Sequence, residues 1–328
     1  MADLSTNYLG YKLKNPIIAS SSTLTDNVDS IKKLEENGVA AVVLRSIFEE
    51  EIFLEADHEI KQAVKEGYDE ALFDYFDARV KQHNVDEYLD LLLELKRHVN
   101  IPVLGSINCM SDHEWIYFAK QMESVGVDAI ELNMFLLPSN FNRTCEENEK
   151  LYFSIVQKVL DQVSVPVTLK ISHYFSNLAT MIINLSKTDI KGLVLFNKFF
   201  APDFDIEDEK LISTYVLSNP QDISLPLRWI AMLSDRVECD LVASTGVHDG
   251  AGVIKQLLAG ATAVQIASTL YKHGPEQIGV MLKELEDWMN RKGYESLADF
   301  KGKLSYKNVK DPALYERVQF MKYFGSHK

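Results

Sequence analysis

A lysine inside an apolar run, two asparagines at the ends of other apolar runs, and two late stretches ending in small residues are the parts of this chain able to do chemistry. Lys170 stands in Val167-Thr-Leu-Lys-Ile-Ser172. A buried ammonium group needs a partner. Here the partner is either a fixed ion pair, with Glu131 as the candidate, or a ligand on which negative charge grows during reaction. Glu131-Leu-Asn133 closes another apolar run, and strand alternation turns Glu131 and Asn133 to one side. Asn133, and Asn197 at the end of Leu193-Val-Leu-Phe-Asn197, each carry two donors and an acceptor. Such amides suit a flat heterocycle or close a strand-to-loop turn. Arg45, followed by Ser46, either stacks on or forks onto a planar ligand, or pairs with Glu49-Glu-Glu51. Leu241-Val-Ala-Ser-Thr-Gly246 and Ala263-Val-Gln-Ile-Ala-Ser268 are strand-like runs that enter helices through small residues. Small residues let a phosphate approach backbone N–H groups at a helix start. Paired turns of this kind after the last two strands form the usual phosphate grip of a (β/α)₈ barrel. The ligand expected at these turns is therefore phosphorylated.

Other chemistries find no support. His58, His83, His98, His113, His173, His248 and His273 show no metal-ligand spacing. His173 follows Lys170 closely enough to reach the same region, although a loop histidine with ordinary partners fits that position as well. No GxSxG elbow and no Ser-His-Asp order is visible, which argues against an acyl-transfer hydrolase.

Elements that alternate must position these residues. Strands are expected at 16–21, 41–46, 102–107, 129–133, 165–171, 192–197, 240–245 and 263–268. Helices are expected near 27–37, 84–98, 112–125, 146–162, 176–186, 226–236, 250–259 and 275–291. Thr144-Cys-Glu-Glu147 reads as a capping box, and Gly38, Gly126 and Gly260 read as helix stops. The strands are rich in Val, Ile and Leu without strict alternation, as when both faces are covered. The fold class is α/β. Eight strand-then-helix units favour a closed barrel, and spacing alone leaves an open doubly wound sheet in play. Two excursions follow strands, at 47–83 and 198–225, and so belong over the C-terminal mouth of the barrel. The first is acidic early and carries Phe73-Asp-Tyr-Phe76 later; the second holds Phe199-Phe200 and the acidic run from Asp203 to Glu209. They read as long loops that serve as lids or as contacts of a homodimer, or as decoration. A helical tail with Tyr294, Phe300 and Tyr306 is expected to pack back on the barrel, in one domain spanning 1–328.

The chain has 328 residues, 46% of them apolar, ample for one large core. Acids outnumber bases 48 to 34, a net charge of −14. Such a surface repels nucleic acid and anionic lipid at long range, so a small-molecule substrate is expected rather than either of these. No apolar run is long enough for a membrane span. The start Met1-Ala-Asp-Leu4 lacks the pattern of a secretory signal. Cys109, Cys145 and Cys239 are scattered without a disulfide or zinc pattern. A cytoplasmic location is expected.

In order and spacing these pieces resemble the dihydroorotate dehydrogenase family, FMN-dependent TIM barrels, over about residues 5–280. The resemblance begins at Leu9-Gly-Tyr-Lys-Leu-Lys-Asn-Pro-Ile-Ile-Ala-Ser20. It runs through Val103-Leu-Gly-Ser-Ile-Asn-Cys-Met-Ser111, Glu131-Leu-Asn133 and Leu169-Lys-Ile-Ser-His-Tyr-Phe175. It ends in Ala243-Ser-Thr-Gly-Val-His-Asp-Gly250 and Gly260-Ala-Thr-Ala-Val-Gln-Ile-Ala-Ser-Thr-Leu270. It implies FMN as cofactor and hydride transfer from dihydroorotate or a related dihydropyrimidine, in pyrimidine biosynthesis. It implies that Ala19 and Ser20 line the flavin, with Arg45 and Ser46 at the end of the second strand beside it. Lys170 would lie near the N1/C2 carbonyl edge and stabilise the reduced flavin. Asn133 and Asn197 would bind flavin or substrate, and Ser244, Thr245, Gly246, Ala267 and Ser268 would hold the phosphate. The chain departs from the family's pattern in four places. Leu136 stands where the family places a Cys or Ser base; Ser139 is the nearest hydroxyl, and Cys145 lies at an expected helix N-terminus, which favours a thiolate. Arg45 replaces a lysine, Lys198 stands where a serine is frequent, and the Asn- and Gly-rich substrate loop is missing from 66–84. A sibling flavoprotein with another substrate or with lost catalysis, and a flavin-free sugar-phosphate isomerase barrel, are the alternatives.

Overall fold

The computed structural model describes residues 2–66, 73–199, 201–214 and 216–316. Phe200, the side chains of Phe73, Tyr75 and Phe76, and the end of the tail lie outside the described residues. The chain opens with an antiparallel hairpin of β1 (Thr6–Tyr8) and β2 (Tyr11–Leu13). Then follow β3 (Ile17–Ala19), α1 (Val28–Glu36), β4 (Ala41–Val43) and the short β5 (Ile47–Phe48). Next come α2 (Glu49–Glu66), α3 (Phe73–His98), β6 (Val103–Asn108), α4 (Asp112–Ser124), β7 (Ala129–Met134), α5 (Cys145–Leu160), β8 (Val167–Ile171) and α6 (Leu178–Ser186). After β9 (Gly192–Leu195) a second hairpin is made by β10 (Ala201–Asp205) and β11 (Lys210–Thr214). The chain continues through α7 (Ser224–Leu233), β12 (Asp240–Ser244), α8 (Gly250–Ala259), β13 (Ala263–Ile266), α9 (Ser268–His273) and α10 (Gln277–Lys292).

Strands β3, β4, β6, β7, β8, β9, β12 and β13 pair in parallel, and β13 pairs with β3 to close the circle. Closure excludes the open sheet and makes the fold a (β/α)₈ TIM barrel. Every residue of β6, β7 and β8 is buried. This is the expected result for strands covered outside by helices and filled inside by side chains.

The barrel interior has two halves. The lower half is apolar: Ile18, Val43, Leu104, Ala129, Val194, Val242 and Ala263 pack with Tyr8, Leu9 and Leu13 of the first hairpin. That hairpin plugs the floor, and the Tyr8 hydroxyl reaches Thr168 Oγ1 at 3.2 Å. A Cβ on Gly192 would lie 2.8 Å from Thr168 Oγ1 and 3.1 Å from Leu9 and Tyr8, so the floor closes only over a glycine. The upper half is polar, with Ser20, Ser106, Glu131, Lys170 and Gln265 all buried.

The two excursions are not loops. Residues 47–83 hold β5, α2 and the start of α3, which begins at 73 rather than 84. The two helices lie against each other through Arg79–Glu59 and Asn84–Glu55 contacts. Acidic residues at the start of α2 favour the helix dipole, and Glu49 accepts from the backbone N–H groups of Met110 and Ser111. Its apolar residues do not keep to one face, since Ile52 and Ala56 are buried while Phe53, Leu54 and Val64 are exposed, which is why it reads as a loop. Residues 198–225 hold the β10–β11 hairpin, whose β11 side chains are mostly exposed, so no burial period marks it in the sequence. The tail packs back through a ring cluster of Trp288, Tyr294 and Phe300, and Arg236 lies over the Tyr306 ring. Among its described residues the regular structure is two short 3₁₀ turns, 297–299 and 312–315. Among the described residues no helix is long and apolar enough to cross a membrane.

Candidate active site

A cleft opens at the C-terminal ends of β3, β8, β9, β12 and β13. Eight positions singled out in the sequence meet on its walls: Ser20, Lys170, Asn197, Ser244, Thr245, Gly246, Ala267 and Ser268. They come from five strands because a parallel barrel delivers all its strand ends to one rim.

Lys170 is 5% exposed. Its Nζ donates to Ser20 Oγ at 2.8 Å and to Gln265 Oε1 at 3.0 Å. Glu131 Oε1 stands 3.7 Å away, and Gln265 Nε2 donates to the other oxygen of Glu131. The two readings of Lys170 thus coincide: it has an interior carboxylate partner and it lines the cleft. Glu131 Oε1 itself has no hydrogen-bond partner. The ammonium is therefore held in place by neutral acceptors, with its counter-charge one step deeper.

A second polar chain crosses the rim. Asn197 Nδ2 donates to Asn133 Oδ1, and Asn133 Nδ2 donates to Ser46 Oγ at 3.2 Å. Ser46 Oγ in turn lies 2.7 Å from Ser106 Oγ and 3.2 Å from Ser21 Oγ. Both asparagines are cross-linked to each other instead of closing their own turns. Arg45 is turned away from this chain and makes a two-pronged pair with Glu51 at 2.7 and 2.8 Å. It lines a neighbouring cavity between the barrel and α2 and α3, so the pairing with the acidic run describes its position. Ala19 is fully buried in the main core and is not on the cleft wall.

The turn after β12 is unusual. Thr245 and Gly246 both adopt positive φ, 77° and 83°, in the region where a Cβ is strained. A Cβ on Gly246 would lie 2.1 Å from the backbone nitrogen of Ile223. Glycine is thus required by close approach as well as by φ. Thr245 Oγ1 donates to the Phe196 carbonyl at 3.0 Å and holds the turn in place. Together with the entry to α9 at Ala267 and Ser268, this brings two small-residue turns to one side of the cleft.

Sequence reading missed three residues here. Gln265 bridges Ser20, Lys170 and Glu131; its signal was a lone amide in an apolar strand. Ser218 and His248, 4% and 7% exposed, join at 3.0 Å between Ser218 Oγ and His248 Nε2. Ser218 comes from the second excursion and carried no signal.

Ser139 and Cys145 are not brought to Lys170. Both are exposed, Ser139 in the loop after β7 and Cys145 at the first turn of α5, where Thr144 and Glu147 form the expected capping box. Leu136, partly buried, packs on the core. Cys145 lines a separate cavity with Tyr152, His173 and Tyr174. His173 stacks on Tyr174 at 4.4 Å, its Nδ1 is shielded without a partner, and burial holds its imidazole below the usual range.

The sequence profile described as dihydroorotate dehydrogenase matches residues 3–289. A protein of Thermoplasma volcanium named dihydroorotate dehydrogenase B (NAD(+)), catalytic subunit, is 28% identical over 92% of this chain and 98% of its own length. Its counterpart in Methanocaldococcus jannaschii is 25% identical over 83% of this chain and 88% of its own length. Dihydroorotate dehydrogenase A (fumarate) of Lactococcus lactis subsp. cremoris is 25% identical over 92% of this chain and 99% of its own length.

Proposed function

The chain belongs to the dihydroorotate dehydrogenase family, and from that premise we propose that it is an FMN-dependent oxidoreductase that takes hydride from a CH–CH bond of a small ring, dihydroorotate or a related dihydropyrimidine. FMN, when bound, supplies the hydride-accepting chemistry. The observation that carries the reading is one cleft that holds a buried ammonium group at Lys170 and two small-residue turns at 244–246 and 267–268. The donor set fits the cofactor at both ends. Backbone N–H groups and small side chains suit the phosphate, and Gly246 sits where any Cβ would collide. Lys170 suits the edge of a ring that gains negative charge. Asn133 and Asn197, already joined to each other, present amide groups at the rim that orient a planar ring.

Proton removal has no residue in the family's usual place, because Leu136 has no basic atom and Ser139 and Cys145 face outward. Arg45 is engaged by Glu51. These two observations favour a sibling flavoprotein, acting on a different ring, as the second reading. The test is a reduction screen of the purified holoprotein under anaerobic conditions, starting with dihydroorotate and then other dihydropyrimidines. Flavin absorbance that bleaches with a member of this class is the expected result. Bleaching by dihydroorotate selects the first reading. Bleaching only by some other reductant selects the second, and protein that never carries flavin ends both.

A further inference from the structure

Ser218, from the second excursion, is fastened at four points to the segments that follow β12 and β13. Ser218 N donates to Ser268 Oγ at 2.9 Å. The Ser218 carbonyl accepts from Lys272 Nζ at 2.7 Å. Ser218 Oγ lies 3.0 Å from His248 Nε2 and accepts from Gly246 N at 3.4 Å. Every one of these partners follows β12 or β13. A surface segment held so closely is positioned for something, and Ser218 is one of the cleft-lining residues.

The hydrogen-bond capacity of that hydroxyl says what. A serine oxygen accepts two bonds and donates one. In the imidazole tautomer with its proton on Nε2, Gly246 N–H and His248 Nε2–H fill both acceptor positions. The O–H is left to donate, and Ser218 lines the cleft. Two cations stand close by. Lys272 is on the Ser218 carbonyl, and Lys198 bonds the Leu217 carbonyl at 3.1 Å and Asp222 at 3.0 Å. Lys272 thus brings an ammonium group to the Ser218 carbonyl, while the charge of Lys198 is offset by Asp222.

We propose that Ser218, oriented by His248, is a third arm of the anion subsite, delivered from the second excursion to donate a hydrogen bond to the phosphate monoester of the flavin cofactor. The proposal rests on the FMN reading and deepens it. His248 acts through Ser218 and is a positioning residue.

Flavin affinity tests it, with riboflavin as the control that lacks the phosphate. Apoprotein is titrated with FMN and with riboflavin, and flavin fluorescence quenching is followed. A buried hydrogen bond to a charged group corresponds to about a ten- to hundredfold effect. Ser218→Ala is expected to weaken FMN binding by that factor and to leave riboflavin binding unchanged. His248→Ala should do the same in smaller measure, and His248→Gln, whose amide N–H can still donate to Ser218, should restore part of the preference. Circular dichroism matched to wild type shows that the variants fold; if Ser218→Ala does not fold, Ser218→Gly carries the same comparison. Retention of the full FMN-over-riboflavin preference by the serine variant overturns the arm alone. Equal weakening of both flavins also overturns it, because a general structural loss does not discriminate the phosphate. Wild-type protein that binds neither flavin overturns the FMN reading as well.

Discussion

Lys170 has three N–H donors, and Ser20 and Gln265 take two of them. Glu131 lies just beyond hydrogen-bond reach at 3.7 Å, so the charge is balanced at a distance without being capped. Lys170→Ala should weaken FMN retention and slow flavin reduction by about two orders of magnitude, the usual effect of deleting one charge-stabilising donor. Flavin content after gel filtration and stopped-flow absorbance measure both, and wild-type values would remove Lys170 from the chemistry. Glu131→Gln keeps a polar side chain at the same place and deletes the counter-charge. An ammonium without that carboxylate favours added negative charge, so the midpoint potential of bound FMN should rise. A redox titration giving an unchanged or lower potential contradicts this. Lys170 was legible because a lysine in an apolar strand needs an explanation. Glu131 was legible as its candidate partner, but the acceptors Ser20 and Gln265 were not, because they lie 150 and 95 residues away in sequence, and only barrel closure brings them together.

The first hairpin shows how an element escapes sequence reading. Its strands are three residues long, and its turn is Leu9-Gly10, both at positive φ, 52° and 87°. Two-residue turns of that kind normally carry Asn-Gly or Asp-Gly, and a leucine there hides the signal. The strain in Leu9 is offset by its burial, at 4% exposure, and by Asp240, which accepts from Leu9 N at 3.1 Å. Leu13, 2% exposed in the same plug, is the position to test. Leu13→Ala should cost about 2–5 kcal/mol, the range for large-to-small core changes, and urea unfolding read by circular dichroism measures it. A cost near zero would mean that the plug contributes little to stability. The eight barrel strands were legible because each is a short run rich in Val, Ile and Leu with both faces covered, the polar residues being single interruptions. The two excursions were not: β11 is mostly exposed, and in α2 the exposed Phe53 and Leu54 follow buried Ile52 and blur the helical stripe.

Across the whole molecule, two imidazoles, His248 buried and His173 half-buried, link stability to pH. Burial is the first cause that holds both His173 and His248 below the usual range, and for His248 the neighbouring charges of Lys272 and His273 add to it while Asp249 opposes it. In the unfolded chain both protonate near pH 6.5. Below that value the unfolded state binds more protons than the folded one, so stability falls with pH and levels off once the folded groups protonate too. Thermal unfolding of the apoprotein across that window should show the loss. The double variant His173→Gln, His248→Gln should flatten it, and an unaltered slope would assign the dependence to other groups. Asp222, which faces His248 and is held low by hydrogen bonds from Asn219 and Lys198, titrates in a separate, more acidic window. The plugged floor also governs traffic. A vessel stoppered at its base fills and empties through a single neck. On the proposed chemistry, the ring to be oxidised comes to Lys170 from the rim side, because Tyr8, Leu9 and Leu13 occupy the opposite end of the barrel.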